Sequence, residues 1–327
     1  MKTDNITLKR LLLPTSALVL SALLFSSCEH KELCFDSGNS THINVVFDWR
    51  YAPDANPESM SMTLFDEEKN IDPLQYIFTG RDGGEIKVPL GLYDSLCLNS
   101  DFQDWAKLRY TDDEQSFELY TIDSDILPAS GLSTRALPAA DSNNSERFAT
   151  TPGMAWAHNV DHIDLSQITD EKTITYYPRE IVCHYTVDVL NVENINNLDG
   201  SQVDATLSGM AEGYHIGVHA ATNNTVTHPF ILSVSKSTPN SLHAEFLTFG
   251  ETPDVDVPHT LSLYMVYNDG TGHTFNFDVS DQIKKAADPT HVNIVVRGIT
   301  IPKPIGHGGG LIPDVNDWET ENIYIKM

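Results

Sequence analysis

Apolar and polar side chains alternate along most of this chain. Residues 41–49 set the pattern, with Ile43, Val45, Phe47 and Trp49 facing one way. A period of two predicts a half-buried strand. The same reading gives strands over 60–65, 75–79, 85–88, 92–99 and 117–123. Arg81-Asp-Gly-Gly84 reads as the turn of a hairpin between the strands at 75–79 and 85–88.

The second half repeats the style. Residues 173–192 alternate over a long stretch broken at Pro178, and further strands fall at 205–210, 214–220, 230–236 and 242–249. Strands at 261–267 and 274–279 are joined by Asn268-Asp-Gly-Thr-Gly272, a hairpin loop. Residues 281–287 fit one or two helical turns, 292–301 is a strong strand, and 322–326 makes a last short one. Convincing amphipathic helices are lacking, which argues against a βαβ enzyme. Many short strands separated by turn signals predict an all-β chain of β-sandwiches. Residues 128–152 break the pattern with small polar residues, Pro128 and Pro138, and read as a loop or linker. The expected division is therefore 41–150 for a first sandwich and 151–327 for a second.

The alternation starts only after an N-terminal segment of another kind. Lys2, Lys9 and Arg10 precede an apolar run over 11–25, the layout of a secretory signal. That run is short for a span, which needs about 20 apolar residues. Phe25-Ser-Ser-Cys28 resembles a bacterial lipobox, where small residues precede the lipid-bearing cysteine. The expectation is a signal peptide over 1–27 and a tether over 28–40 that begins at a lipidated Cys28. Acyl chains embed by about 0.8 kcal/mol per methylene, so more than one anchors stably. A chain starting at Cys28 carries 17 basic and 45 acidic residues, a net charge of −28. Such a surface repels phosphate backbones, so nucleic acid is not an expected partner.

Three cysteines remain after Cys28, enough for one disulfide at most. Cys183 alternates with Ile181, Tyr185, Val187 and Val189 and reads as a core residue; a Cys34–Cys97 bond would pin the tether but nothing in the sequence requires it. Thirteen histidines invite a metal reading. His158 and His162 are four apart, as are His215 and His219. In an extended segment such as 214–220, that spacing separates two rings by about 13 Å, too far for one zinc. The acidic runs Asp66-Glu67-Glu68 and Asp112-Asp113-Glu114, with Asp123 and Asp125, sit in expected turns and read as solvated charge. No EF-hand loop, phosphate loop or Gly-x-Ser-x-Gly elbow is present. No catalytic, cofactor-binding or metal site is expected.

Several stretches form a recognisable series: Cys28-Glu-His-Lys-Glu-Leu-Cys34, Val45-Val-Phe-Asp-Trp-Arg50, Gly80-Arg-Asp-Gly-Gly84, 93–101, 179–183, Leu207-Ser-Gly-Met210 and the tail 308–318. Together they resemble a family of Bacteroidales lipoproteins related to FimB-like fimbrial anchor and fimbrillin proteins. The resemblance implies two tandem transthyretin-like β-sandwich domains. It also implies a non-enzymatic role in surface fimbriae at the outer membrane, with other fimbrial subunits as partners through β-strand addition. Cys28 matches the family's lipidated cysteine. Shaft subunits of such fimbriae lose an N-terminal strand by cleavage after an arginine, and Arg50 follows the first strong strand here. A glycan- or protein-binding surface lipoprotein is the second reading. It would need exposed aromatics, for which Trp49, Trp105, Trp156 and Trp318 are the ones to inspect, although Trp49 alternates with core residues and reads as buried.

Overall fold

Residues 40–99 and 156–180 form a sandwich of two unequal sheets. Strand β1 (Ser40–Phe47) lies between β4 (Gly83–Pro89) and β10 (Lys172–Tyr176) in a three-stranded sheet. Against it packs a five-stranded sheet in the order β11 (Arg179–Glu180), β9 (Trp156–Asp164), β5 (Leu92–Asn99), β2 (Ser59–Asp66), β3 (Leu74–Thr79). The alternation read from 41–49 is what makes this work: Ile43, Val45 and Phe47 point into the core with Met60, Met62, Leu64, Tyr93, Cys97 and Tyr176. These coordinates are a computed structural model that describes residues 39–124, 146–167, 172–237, 239–268, 272–302 and 319–323. The expected lipidation site Cys28, Cys34, most of the 128–152 linker, Trp318 and the 308–310 glycines lie outside those residues.

Strand β5 is buried on both faces. Tyr93 and Cys97 join the sandwich core, whereas Leu96 and Leu98 belong to a second cluster with Phe117, Leu119, Val182, Ala211, Ile216 and Phe249. That cluster holds residues from both halves of the sequence. A four-stranded sheet of β6 (Ala106–Arg109), β7 (Glu118–Thr121), β14 (Gly213–His215) and β15 (Ala220–Ala221) contributes to it.

The rest of the chain builds a nine-stranded sheet. Its order is β20 (His291–Arg297), β12 (Cys183–Leu190), β17 (Ser241–Thr248), β16 (Thr225–Ser235), β13 (Gln202–Ala211), β18 (Thr260–Val266), β19 (Gly272–Asp278), β21 (Glu319–Ile323), with β8 (Arg147–Phe148) beside β16. Alternate residues of these strands, such as Val187, Leu207, Leu232, Leu263, Phe275 and Ile294, share one core, and the short helix α1 (Ser280–Lys284) adds Ile283. Cys183 is half-buried against it, and burial pushes its thiol up to about 11. Cys97 is fully buried. Strand β21 runs parallel to β19, from His273↔Glu319 to Phe277↔Ile323, so the C-terminal strand pairs within its own chain.

The all-β class holds, and three local expectations do not. Residues 81–84 do not close a hairpin: β3 is an edge of the larger sandwich sheet, whereas β4 pairs with β1 in the smaller one. Gly83 explains the crossing. Its φ is +97°, and a Cβ there would sit 2.1 Å from the Val45 carbonyl oxygen, so only glycine lets the chain pass so close to β1. Residues 214–220 are not extended throughout: β14 ends at His215, and the chain turns so that the His219 N–H donates to the Ile216 carbonyl. The sheets do not change hands at 150/151. Strands β9, β10 and β11 pair with β5, β1 and β9, and the nine-stranded sheet takes over at Cys183.

One buried imidazole ties this fold to pH. His228 of β16 is fully buried, its Nδ1 3.0 Å from the Ala149 carbonyl oxygen. Burial, helped by the nearby Arg147 charge and opposed by backbone carbonyls, lowers its pKa to about 4. Below about 6.5 the unfolded chain binds a proton that the folded chain refuses. The contribution is therefore fully present above 6.5 and is lost as pH falls toward 4. Between pH 7.5 and 5.5 the protein should lose about 1 kcal/mol more than His228→Gln. Urea midpoints of both proteins at the two pH values check this; equal losses would remove His228 from the account.

Candidate functional site

Three places in the described fold carry features beyond packing. The first is β1 itself, the strand that follows the expected tether. Its Ile43, Val45 and Phe47 are 1%, 1% and 4% exposed, and it pairs with β10 in parallel from Ile43↔Lys172 to Phe47↔Tyr176. Arg50 stands in the exposed turn just beyond, with its Nη2 2.5 Å from Asp48 Oδ2. That hydrogen bond holds the Asp48 carboxyl below the usual carboxylate range. Were the chain cut after Arg50, the whole of β1 would leave and expose the groove between β4 and β10.

The second is an aromatic and cationic patch near the same turn. The Arg179 guanidinium lies 4.0 Å from the Tyr51 ring centroid and Arg50 lies 4.8 Å from that of Tyr177; the two tyrosine rings meet edge to face at 6.4 Å. Tyr51 is 56% exposed. Among the described residues the candidate tryptophans do not mark such a surface, as the alternation of Trp49 with core residues predicted for that one. Trp49 and Trp156 are buried, and the Trp49 indole N–H donates to the Arg81 carbonyl at 2.7 Å. Trp105 is half-buried against Phe249. No sequence signal singled out Tyr51; it meets Tyr177, between β10 and β11, and Arg179, on β11, only in the folded chain.

The third is a pair of carboxylate assemblies. In one, Arg109 of β6 grips Glu118 of β7 with two bonds of 2.5 and 2.6 Å and reaches Glu212 at 3.0 Å. Arg147 holds the other Glu212 oxygen at 2.7 Å, and the Asn224 amide donates to Glu212 as well. Burial raises the Glu212 pKa, but the bonds from Arg147, Asn224 and Arg109 outweigh it and hold the carboxyl below its ordinary value. Arg109 and Glu118 also line an open pocket of about 330 Å³ with Asn223, Asn224, Pro253 and Asp254.

The other assembly overturns the reading of Glu114 as solvated charge, whereas Asp112 and Asp113 are exposed as read. Glu114 begins a short 3-10 turn capped by Asp113, and it is 6% exposed. The backbone folds inward here because Gly217 packs against it; a Cβ on Gly217 would lie 2.6 Å from the Glu114 carbonyl oxygen. Opposite stands a β-bulge. Strands β5 and β9 slip by one residue between Tyr93↔Ile163 and Ser95↔Val160, so Asp161 and His162 together face Asp94. His162 has φ +57°, its N–H donates to Asp94 Oδ1 at 3.0 Å, and its ring meets Glu67 at 3.1 Å. One oxygen each from Asp94, Glu114 and Asp161 lie within 4.8 Å of one another. Burial, then the charge of Asp161, pushes the Glu114 carboxyl up to about 8 against the pull of the Asn159 amide. The histidine pairs do not act as pairs. His158 faces Tyr176 and Tyr177 edge-on, and His215 and His219 are divided by the turn.

The model of the family described as domain of unknown function (DUF5119) matches residues 27–231. Among solved structures, the chain is similar to a candidate adhesin from Bacteroides ovatus, with 18% identity, coverage of 85% of this chain and 98% of that one, and a TM-score of 0.64. It is more distantly similar to a candidate polysaccharide-binding protein from Bacteroides thetaiotaomicron, with 9% identity, 79% and 91% coverage and a TM-score of 0.48. The fimbrial anchor protein Mfa2 from Porphyromonas gingivalis gives 13% identity, 79% and 89% coverage and a TM-score of 0.46. No curated protein matches the sequence significantly. At such identities the Bacteroides ovatus protein shows the shared fold. Among the described residues no helix is long and apolar enough to cross a membrane.

Proposed function

The chain belongs to the family described as domain of unknown function (DUF5119), and from that premise we propose that it is a lipid-anchored, non-enzymatic accessory or anchor subunit of a surface fimbria. Acyl groups on Cys28 hold it at the outer membrane, and its body binds other fimbrial subunits. The observation that carries this reading is the seating of β1. The strand begins 12 residues after Cys28 and fills the middle of its own sheet. A subunit that keeps both its lipid and its first strand can end a fibre at the membrane, but its own groove is occupied and cannot accept a neighbour's strand. The adhesin description of the Bacteroides ovatus protein belongs to that protein; it is carried here as part of the proposal.

The test is recovery of the tagged protein from native outer membranes after mild crosslinking, with partners and N-terminus read by mass spectrometry. Fimbrillin-like partners together with an intact acylated Cys28 are expected. A chain starting just after Arg50 would make it a polymerising subunit instead. Absence of any fimbrial partner would overturn the fimbrial role.

The Tyr51 patch favours a second reading, a surface lipoprotein that binds a glycan or a protein. Aromatic faces and guanidinium groups bind sugar rings and carboxylates by stacking and paired hydrogen bonds. On that reading Tyr51→Ala with Arg179→Ala should leave the unfolding free energy within about 0.5 kcal/mol of the parent and lower adhesion of the purified chain to host glycans at least tenfold. Unchanged adhesion would remove the patch from consideration.

A further inference from the structure

We infer that Asp94, Glu114 and Asp161 form a calcium-binding site that clamps the Glu114 turn onto the bulged β5–β9 pair. An acidic cluster alone would not require an ion, since solvated carboxylates tolerate one another. Glu114 is not solvated. It is 6% exposed, and its Oε1 is buried without a hydrogen-bond partner. Proteins complete such an oxygen beside other carboxylates with a shared proton or with a cation, and three converging carboxylates leave at least two charges that a single proton does not neutralise.

The donor set points to calcium. All three side chains offer oxygen and none offers sulfur or nitrogen, which selects a hard cation. Two oxygens on one calcium ion, each 2.3–2.6 Å from it, are at most about 5 Å apart. The three oxygens here meet that limit, lying within 4.8 Å of one another. They come from three separate segments: a strand, a bulge and a 3-10 turn. Calcium accepts such irregular geometry and completes its six to eight ligands with water, whereas magnesium demands a near-ideal octahedron. The bulge has a purpose on this account: without the extra residue, Asp161 would not share the space facing Asp94 and Glu114. The ion would neutralise charge between β5, β9 and the β6–β7 connection, in the part of the body that joins the sandwich to the four-stranded sheet.

The experiment is calcium titration of the full chain, purified in detergent and stripped with EDTA, followed by thermal unfolding and calorimetry. Saturating calcium chloride is expected to raise the Tm by roughly 5 °C, with one ion bound per chain, and magnesium chloride to give less than half that shift. Glu114→Gln and Asp161→Asn should each lose the shift. In EDTA, Glu114→Gln should unfold no lower than the parent, because a neutral amide replaces a buried acid of similar shape. That result separates loss of the site from loss of the fold. No shift up to 10 mM calcium, an equal shift in both variants, a response without saturation from the acidic surface at large, or a preference for magnesium would each overturn the inference.

Discussion

Replacing Arg109 by alanine should cost about 3 kcal/mol, although nearly half of that arginine's side chain faces water. The size of the effect lies with what the arginine leaves behind. The Glu118 and Glu212 side chains are 5% and 11% exposed, and Arg109 bonds to both. Without it, Glu118 loses its two guanidinium bonds, and Glu212 retains Arg147 as its remaining ion-pair partner. A buried carboxylate stripped of its partner carries the whole desolvation penalty, whereas an exposed pair broken in the same way costs 1 kcal/mol or less. Arg109→Lys separates charge from geometry. It keeps the cation but loses the two-pronged grip on Glu118 and the face of Tyr120, which the guanidinium overlies at 4.6 Å. It should recover less than half of the loss. Urea unfolding of the three proteins decides the matter. A loss under 1 kcal/mol for Arg109→Ala would mean that water reaches both glutamates and that the network is surface decoration.

That network marks where reading the sequence stops. Strands whose two faces differ were legible. Residues 41–49, 261–267 and 274–279 alternate because one side is core, and the structure pairs them close to where the period put them. Strand β9 was missed because its bulge breaks the period of two: Asp161 and His162 occupy one position between them, and the stretch looks irregular. The partition of the chain was misjudged for a related reason. The small polar residues of 128–152 resemble a linker, yet β9 and β10 return to the first sandwich to pair with Leu96 and Val45. Neither pairing leaves a local signal. The charges were hardest of all. Asp112, Asp113 and Glu114 are consecutive acids in a turn, and only the third is buried. Its burial depends on Gly217, 103 positions away, packing against its backbone. Arg109 and Glu212 are separated by the same span, 103 positions. Local propensity has no access to either contact, so both carboxylate assemblies become visible only when the sheets are assembled. Cys28 is the reverse case. Its expected role rests on the segment before it, a processing signal read by chemistry rather than by folding, and no packing argument bears on it.

The seating of β1 predicts a second large loss with a distinctive remedy. Phe47→Ala should destabilise the protein by about 3–5 kcal/mol, the range for emptying a buried aromatic site. Phe47 is 4% exposed and meets Phe78 edge to face at 5.4 Å and Tyr176 at 5.8 Å, so its removal leaves a void between the two sheets of the sandwich. Neighbouring rings cannot close it easily. Tyr176 is held by its hydroxyl, which lies 2.6 Å from Ser95 Oγ, and Phe78 sits on a strand paired along β2. The loss should fall mainly on β1, because the strand is bound by this face and by the ladders to β10 and β4, with the tether beyond it. A weakened β1 leaves its groove open part of the time. A synthetic peptide with the wild-type sequence Ser-Thr-His-Ile-Asn-Val-Val-Phe, residues 40–47, should then bind Phe47→Ala in place of the defective strand. It should raise that variant's unfolding midpoint in proportion to the logarithm of peptide concentration, and should leave the wild type unchanged. A control peptide with Ile43, Val45 and Phe47 changed to serine should do nothing. Rescue would show that the groove between β4 and β10 accepts an added strand, the physical capacity that fibre assembly by strand addition requires. Destabilisation without rescue would mean that the sheet collapses once β1 loosens, and a chain of this kind could then join a fibre only by donating a strand or by docking through another surface.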